Sequence, residues 1–434
     1  MKLVFLCHFS SESIRTKLPL NSKGRAIQDF APWVPELIKE VSTYKDIELH
    51  VIAPYDGLKK WIVEYCENSV HYHFFRCNLP VLNKRIPAHW PSFLGGNYSI
   101  NRFIVHHLIR KIKPDIVNLL GAENAYYSSC ILGLNEVPIF ITIQGIYSNP
   151  ERFRFQKENK LNSKLERLIH RSNKYFGINA SFMPGLIKRD VENPILFWNR
   201  FPIKAFIASN FRIDENKKKY DLIQFSRLTG SKGVFDLLSA IVIVKQYFPH
   251  VKVRMVGPAS SNDLEGLNKK IKDLSLSQNI ILSGAYPNHE DVLKDAAYAR
   301  ISVLPTRIDT IPISLFESVY LGLPVVSCNT GDIPLLNIGD ERILLSDVGD
   351  TQALAMNIVR LLSDFKLRNL LAEKSLKFVK RYFSNSANVS QHILILKAVL
   401  KNYREGIPIP QDLLYEGYLM RKLAKEGEFG NDIS

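Results

Sequence analysis

No stretch of this 434-residue chain approaches the roughly 18 consecutive apolar residues that a bilayer-spanning helix requires. Cysteine is scarce: Cys7, Cys66, Cys77, Cys130 and Cys328 are odd in number, scattered, and form no CxxC pair. That excludes a disulfide framework and a zinc ribbon and fits a reducing compartment. No repeat of 20–50 residues is visible. The phosphate loop GxxxxGKS/T and the dinucleotide fingerprint GxGxxG are both missing, as is a DxD metal motif. Helix-turn-helix, RRM and zinc-finger patterns are missing too. The start, MKLVFLCHFSSES, is too short for a signal peptide and lacks a small-residue cleavage pattern, so it reads as a buried first strand.

What is present is ordinary globular composition, with 46% hydrophobic and 23% charged residues. The length suggests two to three domains. Acid is the minority charge: 57 Lys and Arg face 42 Asp and Glu, a net +15. The first 200 residues hold 27 basic against 17 acidic groups, so the excess sits mainly there. Such a field favours an anionic partner: nucleic acid, anionic lipid or a phosphorylated substrate.

Short apolar runs alternate with amphipathic stretches. Lys2–Cys7, Ile47–Ile52, Asp115–Leu119 and Pro138–Ile143 read as strands, with helices at Pro32–Val41 and Ile100–Ile112. The pattern breaks over 201–220 and restarts. Leu222–Ser226, Lys252–Val256, Ile280–Ser283, Ile301–Leu304 and Pro324–Cys328 read as strands, and Val234–Tyr247, Glu290–Ala297 and Ser314–Tyr320 as helices. Continuous β-branched runs followed by helices predict parallel sheets covered on both faces. The expected fold class is therefore α/β, with two doubly wound, Rossmann-like domains and a ligand site in the cleft between them. The expected boundaries are 1–200, 201–375, and helices with a polar tail over 376–434 that cross back to the first domain.

Two segments carry candidate chemistry. In Phe225–Gly233 (FSRLTGSKG) a strand end leads through a glycine loop into a helix. Arg227 leaves the strand and Lys232 opens the helix, a pattern suited to a diphosphate and equally consistent with a plain turn carrying two solvated cations. In Thr306–Gly331, Asp309 and Glu317 stand eight apart, Asp309 in a loop and Glu317 about one and a half turns into a helix. Loop and helix carboxylates so placed reach separate hydroxyl-bearing parts of one ligand. Glu317 lies among Leu315, Phe316 and Val319, where a carboxylate needs a partner.

Taken in order, SRLTGSKG, VRMVGPA, LSGAYP, DTIPISLFESVYLGLPVV and CNTGDIP resemble retaining glycosyltransferases of the GT-B fold, family-4 type. The likeness covers roughly residues 220–335. In the first half it rests on Lys23-Gly24 and on ITIQG, Ile141–Gly145. The resemblance implies a nucleotide-sugar donor, a UDP- or GDP-sugar, and no further cofactor or metal. It implies that Arg227 and Lys232 hold the diphosphate, Glu317 the ribose and Asp309 the donor sugar. Gly24, Thr310 and Ile311 join the donor site, and Gln144 faces the reacting sugar. This chain departs from the family pattern in carrying Asp309 for the usual Glu, Gln144 for the frequent His, Ser22-Lys23-Gly24 for a Gly-Gly pair, and Leu335 for a Glu.

The stretch 151–174 holds eight basic residues against three Glu, with Leu161, Leu165, Leu168 and Ile169 at helical spacing and Phe153 and Phe155 before them. Such a face can lie on anionic lipid or can be an ordinary packed surface helix. His71 and His73 share a strand face, and His106-His107 diverge on a helix. All four read as structural rather than metal-binding. Tyr126, Tyr127 and Trp198 read as packing aromatics. The expectation is a cytoplasmic glycosyltransferase on the inner membrane face, extending a lipid-linked surface glycan of the polysaccharide or lipopolysaccharide type, with no nucleic-acid partner. Two rivals stay open: a catalytically silent sugar-binding scaffold, suggested by Gln144 and Asp309, and a basic nucleic-acid binder.

Overall fold

The computed structural model describes residues 1–27, 29–77, 98–154, 157–200, 202, 204–383 and 385–416. Phe155 and the tail beyond 416, both weighed in the sequence, lie outside them. The chain divides into two compact units. The first is Met1–Pro202 together with the segment beginning at Asn385, and the second is Ile203–Ser384.

The first unit is built on an eight-stranded sheet. Its strands are β1 (Lys2–Leu6), β2 (Glu48–Tyr55), β3 (Ile62–Glu67), β4 (Val70–Arg76), β5 (Ile116–Leu120), β6 (Ile139–Thr142), β7 (Tyr175–Ile178) and β8 (Ile195–Trp198). Their order is β3-β4-β2-β1-β5-β6-β7-β8, all parallel except β3, which pairs antiparallel with β4. Leu3 to Leu6 are wholly buried, as are the four residues of β6, which is why these runs are continuously apolar rather than alternating. Helix Ser99–Ile112 covers one face through Ile104, Val105, Leu108 and Ile109. Helix Asn385–Glu405 belongs to this unit: Tyr44 and Ser390 share a hydroxyl bond of 2.9 Å, and His392 meets Asn199 at 3.0 Å.

The second unit carries six parallel strands: β9 (Tyr220–Phe225), β10 (Val253–Val256), β11 (Ile280–Leu282), β12 (Ala299–Leu304), β13 (Val325–Cys328) and β14 (Leu344–Ser346). The order β11-β10-β9-β12-β13-β14 reverses direction between β9 and β12. This is the Rossmann arrangement, and it puts a crevice at the carboxyl ends of β9 and β12. The first unit reverses in the same sense between β1 and β5.

Glycine sets how tightly the second crevice closes. Gly233, at φ +70°, is so near the end of β12 that a Cβ there would lie 1.8 Å from the Pro305 carbonyl oxygen. Gly233→Ala should therefore lose about 1–3 kcal/mol of stability, from a strained φ plus a forced loop shift. Gly266, in helix Ser261–Asp273 with open space around it, is the contrast, and Gly266→Ala should gain about 0.4–1 kcal/mol. Urea unfolding midpoints compare the two, and an unshifted midpoint in Gly233→Ala would contradict the close approach.

Candidate functional site

The second unit gathers six of the eight sequence-derived site residues around its switch point. Arg227 follows β9 and is exposed; its carbonyl accepts from Thr229 N at 3.0 Å, while its guanidinium makes no hydrogen bond or ion pair among the described residues. Lys232 closes the turn Gly230–Lys232 before helix Val234–Tyr247, rather than opening the helix itself. Its carbonyl is fixed by Gln224 Nε2 at 2.8 Å, and its ammonium forms an ion pair with Asp309. The first N–H groups of that helix have no intrahelical acceptor and stand behind the turn.

The loop after β12 is tied to the loop after β9. Arg307 N donates to Ser231 O at 2.9 Å, and its guanidinium forks onto Asp236 at 2.6 and 2.5 Å. The sequence reading passed over Arg307 because its partner lies 71 residues away. Asp309 Oδ1 accepts from Thr310 N at 2.9 Å. Ile311 turns its side chain onto the cluster of Leu304, Leu315 and Phe316, so only its backbone is left to meet a ligand. Pro312 precedes helix Ile313–Tyr320, and Glu317 is its fifth residue, buried at 4% exposure. The partner that such a carboxylate requires is His289 Nε2, at 2.5 Å from Glu317 Oε1. Nothing in the local sequence points to His289.

Gly24 and Gln144 belong to the first unit. Gly24 N donates to Asn21 Oδ1 at 3.0 Å, and a Cβ on Gly24 would lie 2.8 Å from the Asp56 carbonyl oxygen. Gln144 follows β6. Its amide donates to Glu123 Oε1 at 2.9 Å and accepts from Trp33 Nε1 at 2.8 Å. Glu123, which follows β5, is a residue the sequence reading did not single out. Its Oε2 is buried and has no hydrogen-bond partner among the described residues. Burial raises its carboxyl to about 7, against a weaker opposing pull from Arg152. His8, after β1, is bonded to Tyr126 and is lowered to about 4 by burial. It opens on a cavity of about 300 Å³, bounded with Phe30, Tyr55, Asp56 and Tyr126. Tyr127 and Trp198 are buried, as a packing role requires.

Helix Lys160–Arg171 accounts for the basic stretch. Leu165 and Ile169 are buried in the first unit, and Glu166 accepts from Tyr147 N at 2.7 Å and Ser148 N at 2.6 Å. Its apolar side is thus largely used internally, leaving Lys157, Lys160, Lys164 and Lys174 exposed. No helix among the described residues is long and apolar enough to cross a membrane.

Residues 207–378 match the family model of glycosyl transferases group 1. The chain is 22% identical over 200 residues to N-acetyl-alpha-D-glucosaminyl L-malate synthase of Bacillus anthracis, covering 46% of this chain and 50% of that one. It is 32% identical over 147 residues to the amylovoran biosynthesis glycosyltransferase AmsK of Erwinia amylovora, covering 32% and 35%. The chain therefore spans about half the length, or less, of these curated relatives. Among solved structures, Anabaena HepE in complex with UDP and glucose superposes with a TM-score of 0.66 at 16% identity, over 92% of this chain and all of that one. The fold is that of GT-B glycosyltransferases.

The raised Glu123 carboxyl has a signed consequence. The folded chain keeps a proton there between about pH 4.5 and 7 that the unfolded chain has released. Stability contributed by this site is therefore present at low pH and falls as pH rises through that window. Glu123→Gln removes the dependence. From pH 5 to pH 8 the variant should gain on the parent by up to about 3 kcal/mol. Urea unfolding at the two pH values measures this, and a pH-independent difference would contradict the burial of this acid.

Proposed function

We propose that this chain is a glycosyltransferase that moves a sugar from a nucleotide-sugar donor, a UDP- or GDP-sugar, to a growing lipid-linked surface glycan. The observation that carries the reading is the switch point of the second unit. There an unpartnered Arg227 and a paired Lys232 follow one strand, and Asp309 and Glu317 follow its neighbour. Further support comes from the group 1 match over this unit, the UDP and glucose named for the Anabaena structure, and the polysaccharide role named for the Erwinia relative.

In the proposed reaction the bond between the sugar's anomeric carbon and the diphosphate oxygen breaks, the acceptor's hydroxyl oxygen forms the new bond to that carbon, and the hydroxyl proton passes to the departing diphosphate oxygen. Charge grows on the leaving diphosphate. On donor binding Lys232 exchanges Asp309 for phosphate, which frees the Asp309 carboxylate for the sugar's hydroxyls. Arg227, the released Lys232 and the helix start at Val234 are then in place before charge grows on the leaving group. Glu317, oriented by His289, takes the ribose. Two protein cations can supply the leaving-group stabilisation that a metal gives elsewhere, so we read the transfer as metal-independent, with retention at the anomeric carbon. We place the acceptor in the first unit, by Gln144, Glu123 and the His8 cavity. Gln144 orients hydroxyls and does not act as a base.

Arg227→Ala should weaken binding of UDP or GDP by about 10- to 150-fold, the worth of one charge-assisted phosphate bond of ~1.5–3 kcal/mol. Asp309→Asn removes the carboxylate that competes with phosphate for Lys232, so it should hold the bare nucleotide at least as tightly as the parent, yet lower sugar transfer strongly, because its bond to the sugar matters most as charge develops. Calorimetry with UDP and GDP, and release of nucleotide from their sugars with and without lipid-linked glycan, check both. Parental transfer by Asp309→Asn would remove that residue from the sugar site. A parent protein that neither transfers nor hydrolyses any donor would favour the silent scaffold.

The exposed cations of 157–174 suit an anionic bilayer by charge alone, at ~1 kcal/mol each. Lys157→Glu, Lys160→Glu and Lys164→Glu together should reduce co-sedimentation with phosphatidylserine vesicles, most at low salt. Equal sedimentation of variant and parent would take this segment out of membrane contact.

A further inference from the structure

The amino-terminal ends of β2 and β4 lie at the opposite edge of the first sheet from His8, Glu123 and Gln144. There the parallel pairing sets His50 beside His71, and alternation brings Glu48 and His73 onto the same face. The antiparallel pairing of β3 adds Glu64 opposite His73 and Cys66 opposite His71. Sequence alone assigned His71 and His73 structural roles, because His50 is 21 positions upstream and joins them only through the sheet.

The side chains form a chain of three links. Glu64 Oε1 meets His73 Nδ1 at 2.7 Å, His73 Nε2 meets His50 Nδ1 at 3.0 Å, and His50 Nε2 meets Glu48 Oε1 at 3.0 Å. Both ends are carboxylates, which only accept. Three hydrogen bonds need three protons, and two neutral imidazoles supply two. Both imidazoles are buried, at 7% and 8% exposure, so water does not replace the missing donor. Lys111 lies 2.9 Å from Glu64 Oε2 and 3.2 Å from its Oε1, and Lys2 lies 3.2 Å from Glu48 Oε1, so each end carboxylate has an ammonium beside it, but neither lysine supplies a proton to a link. With neutral imidazoles the chain of links is one proton short, and one ring nitrogen keeps its lone pair.

With Glu64 and His73 as acceptors in turn, His50 donates through Nδ1 and leaves the lone pair of Nε2 facing Glu48. The His71 imidazole stacks on His50 at 4.7 Å and makes no hydrogen bond among the described residues. Ligand atoms of Glu48, His50 and His71 all lie within 4.8 Å of one another. A tetrahedral zinc with bonds of about 2.0–2.2 Å spaces its ligands roughly 3.3 Å apart, so side-chain shifts of about an ångström, with a turn of the His71 ring out of its stack on His50, complete the set.

We propose that Glu48, His50 and His71 form a binding site for a divalent first-row transition ion of the zinc class, with water in the fourth position. Two imidazoles and one carboxylate suit that class rather than magnesium or calcium. His73 and Glu64 are positioning residues that fix the His50 tautomer from behind. The site is independent of glycosyl transfer. Its effect is to tie β2 to β4.

The test is calorimetric titration of Zn²⁺ into the full chain, free of any histidine tag and stripped with a chelator, at pH 7.5. One saturable ion per chain is expected, with a rise in the melting midpoint. His71→Ala leaves the three-link chain intact, so it should melt like the parent without metal yet bind Zn²⁺ at least tenfold more weakly. Glu64→Gln should weaken binding by about 10- to 100-fold, as outer-shell changes do. Lys2→Ala, which releases Glu48, should tighten it. Absence of saturable binding in the parent, or a parental titration by His71→Ala, overturns the proposal.

Discussion

The Pro305 carbonyl occupies the space that a side chain at position 233 would need. Everything at the second switch point depends on this contact. It lets the turn after β9 lie against the end of β12, and the remaining ties follow at hydrogen-bond range: Arg307 N to Ser231, Arg307 to Asp236, and Lys232 to Asp309. A larger residue at 233 would move the turn outward and part the lysine from the aspartate. The acid and the cation assigned to the proposed donor site are thus placed by one glycine and not by either charged residue alone.

The strands legible in the sequence are those buried on both faces. Lys2–Leu6 and Val325–Cys328, whose apolar runs are continuous, were placed to within a residue or two, whereas β2 runs three residues past its expected end and the short buried strands β7, β8 and β14 were not read as strands. Leu222–Ser226 proved longer at its start, because Tyr220 and Asp221 are only half-buried and break the apolar run. β3 and β4 were less legible. They form an antiparallel edge with partly exposed faces, so polar and aromatic residues interrupt the pattern.

Of the site, the acid spacing and the strand-end cations were legible because each is local to one loop or one helix turn. Their partners were not. His289 reaches Glu317 from 28 positions away, and Lys232 reaches Asp309 from 77. The need for a partner could be read from Glu317 itself, since a carboxylate among Leu315, Phe316 and Val319 is costly alone. Which residue met that need is decided by sheet order. Glu123 was missed for the converse reason: it lies three residues past the end of β5, after Gly121 and Ala122, and its sequence neighbours do not reveal that its carboxyl is turned away from water.

Asp309 and Glu123 show how one topology gives two kinds of acid. Each leaves the carboxyl side of a strand flanking a switch point, β12 in one unit and β5 in the other. Asp309 meets an ammonium and two backbone segments held by glycine, so its charge is answered before any ligand arrives. Glu123 meets an amide and an unpartnered interior, so it holds its proton up to about pH 7. An acid with its cation already in place suits exchange with a charged diphosphate and its sugar. A neutral carboxyl beside Gln144 suits hydroxyls, to which it can donate as well as accept. The division of labour proposed for the two units therefore follows from what each strand end places within reach of its carboxyl group.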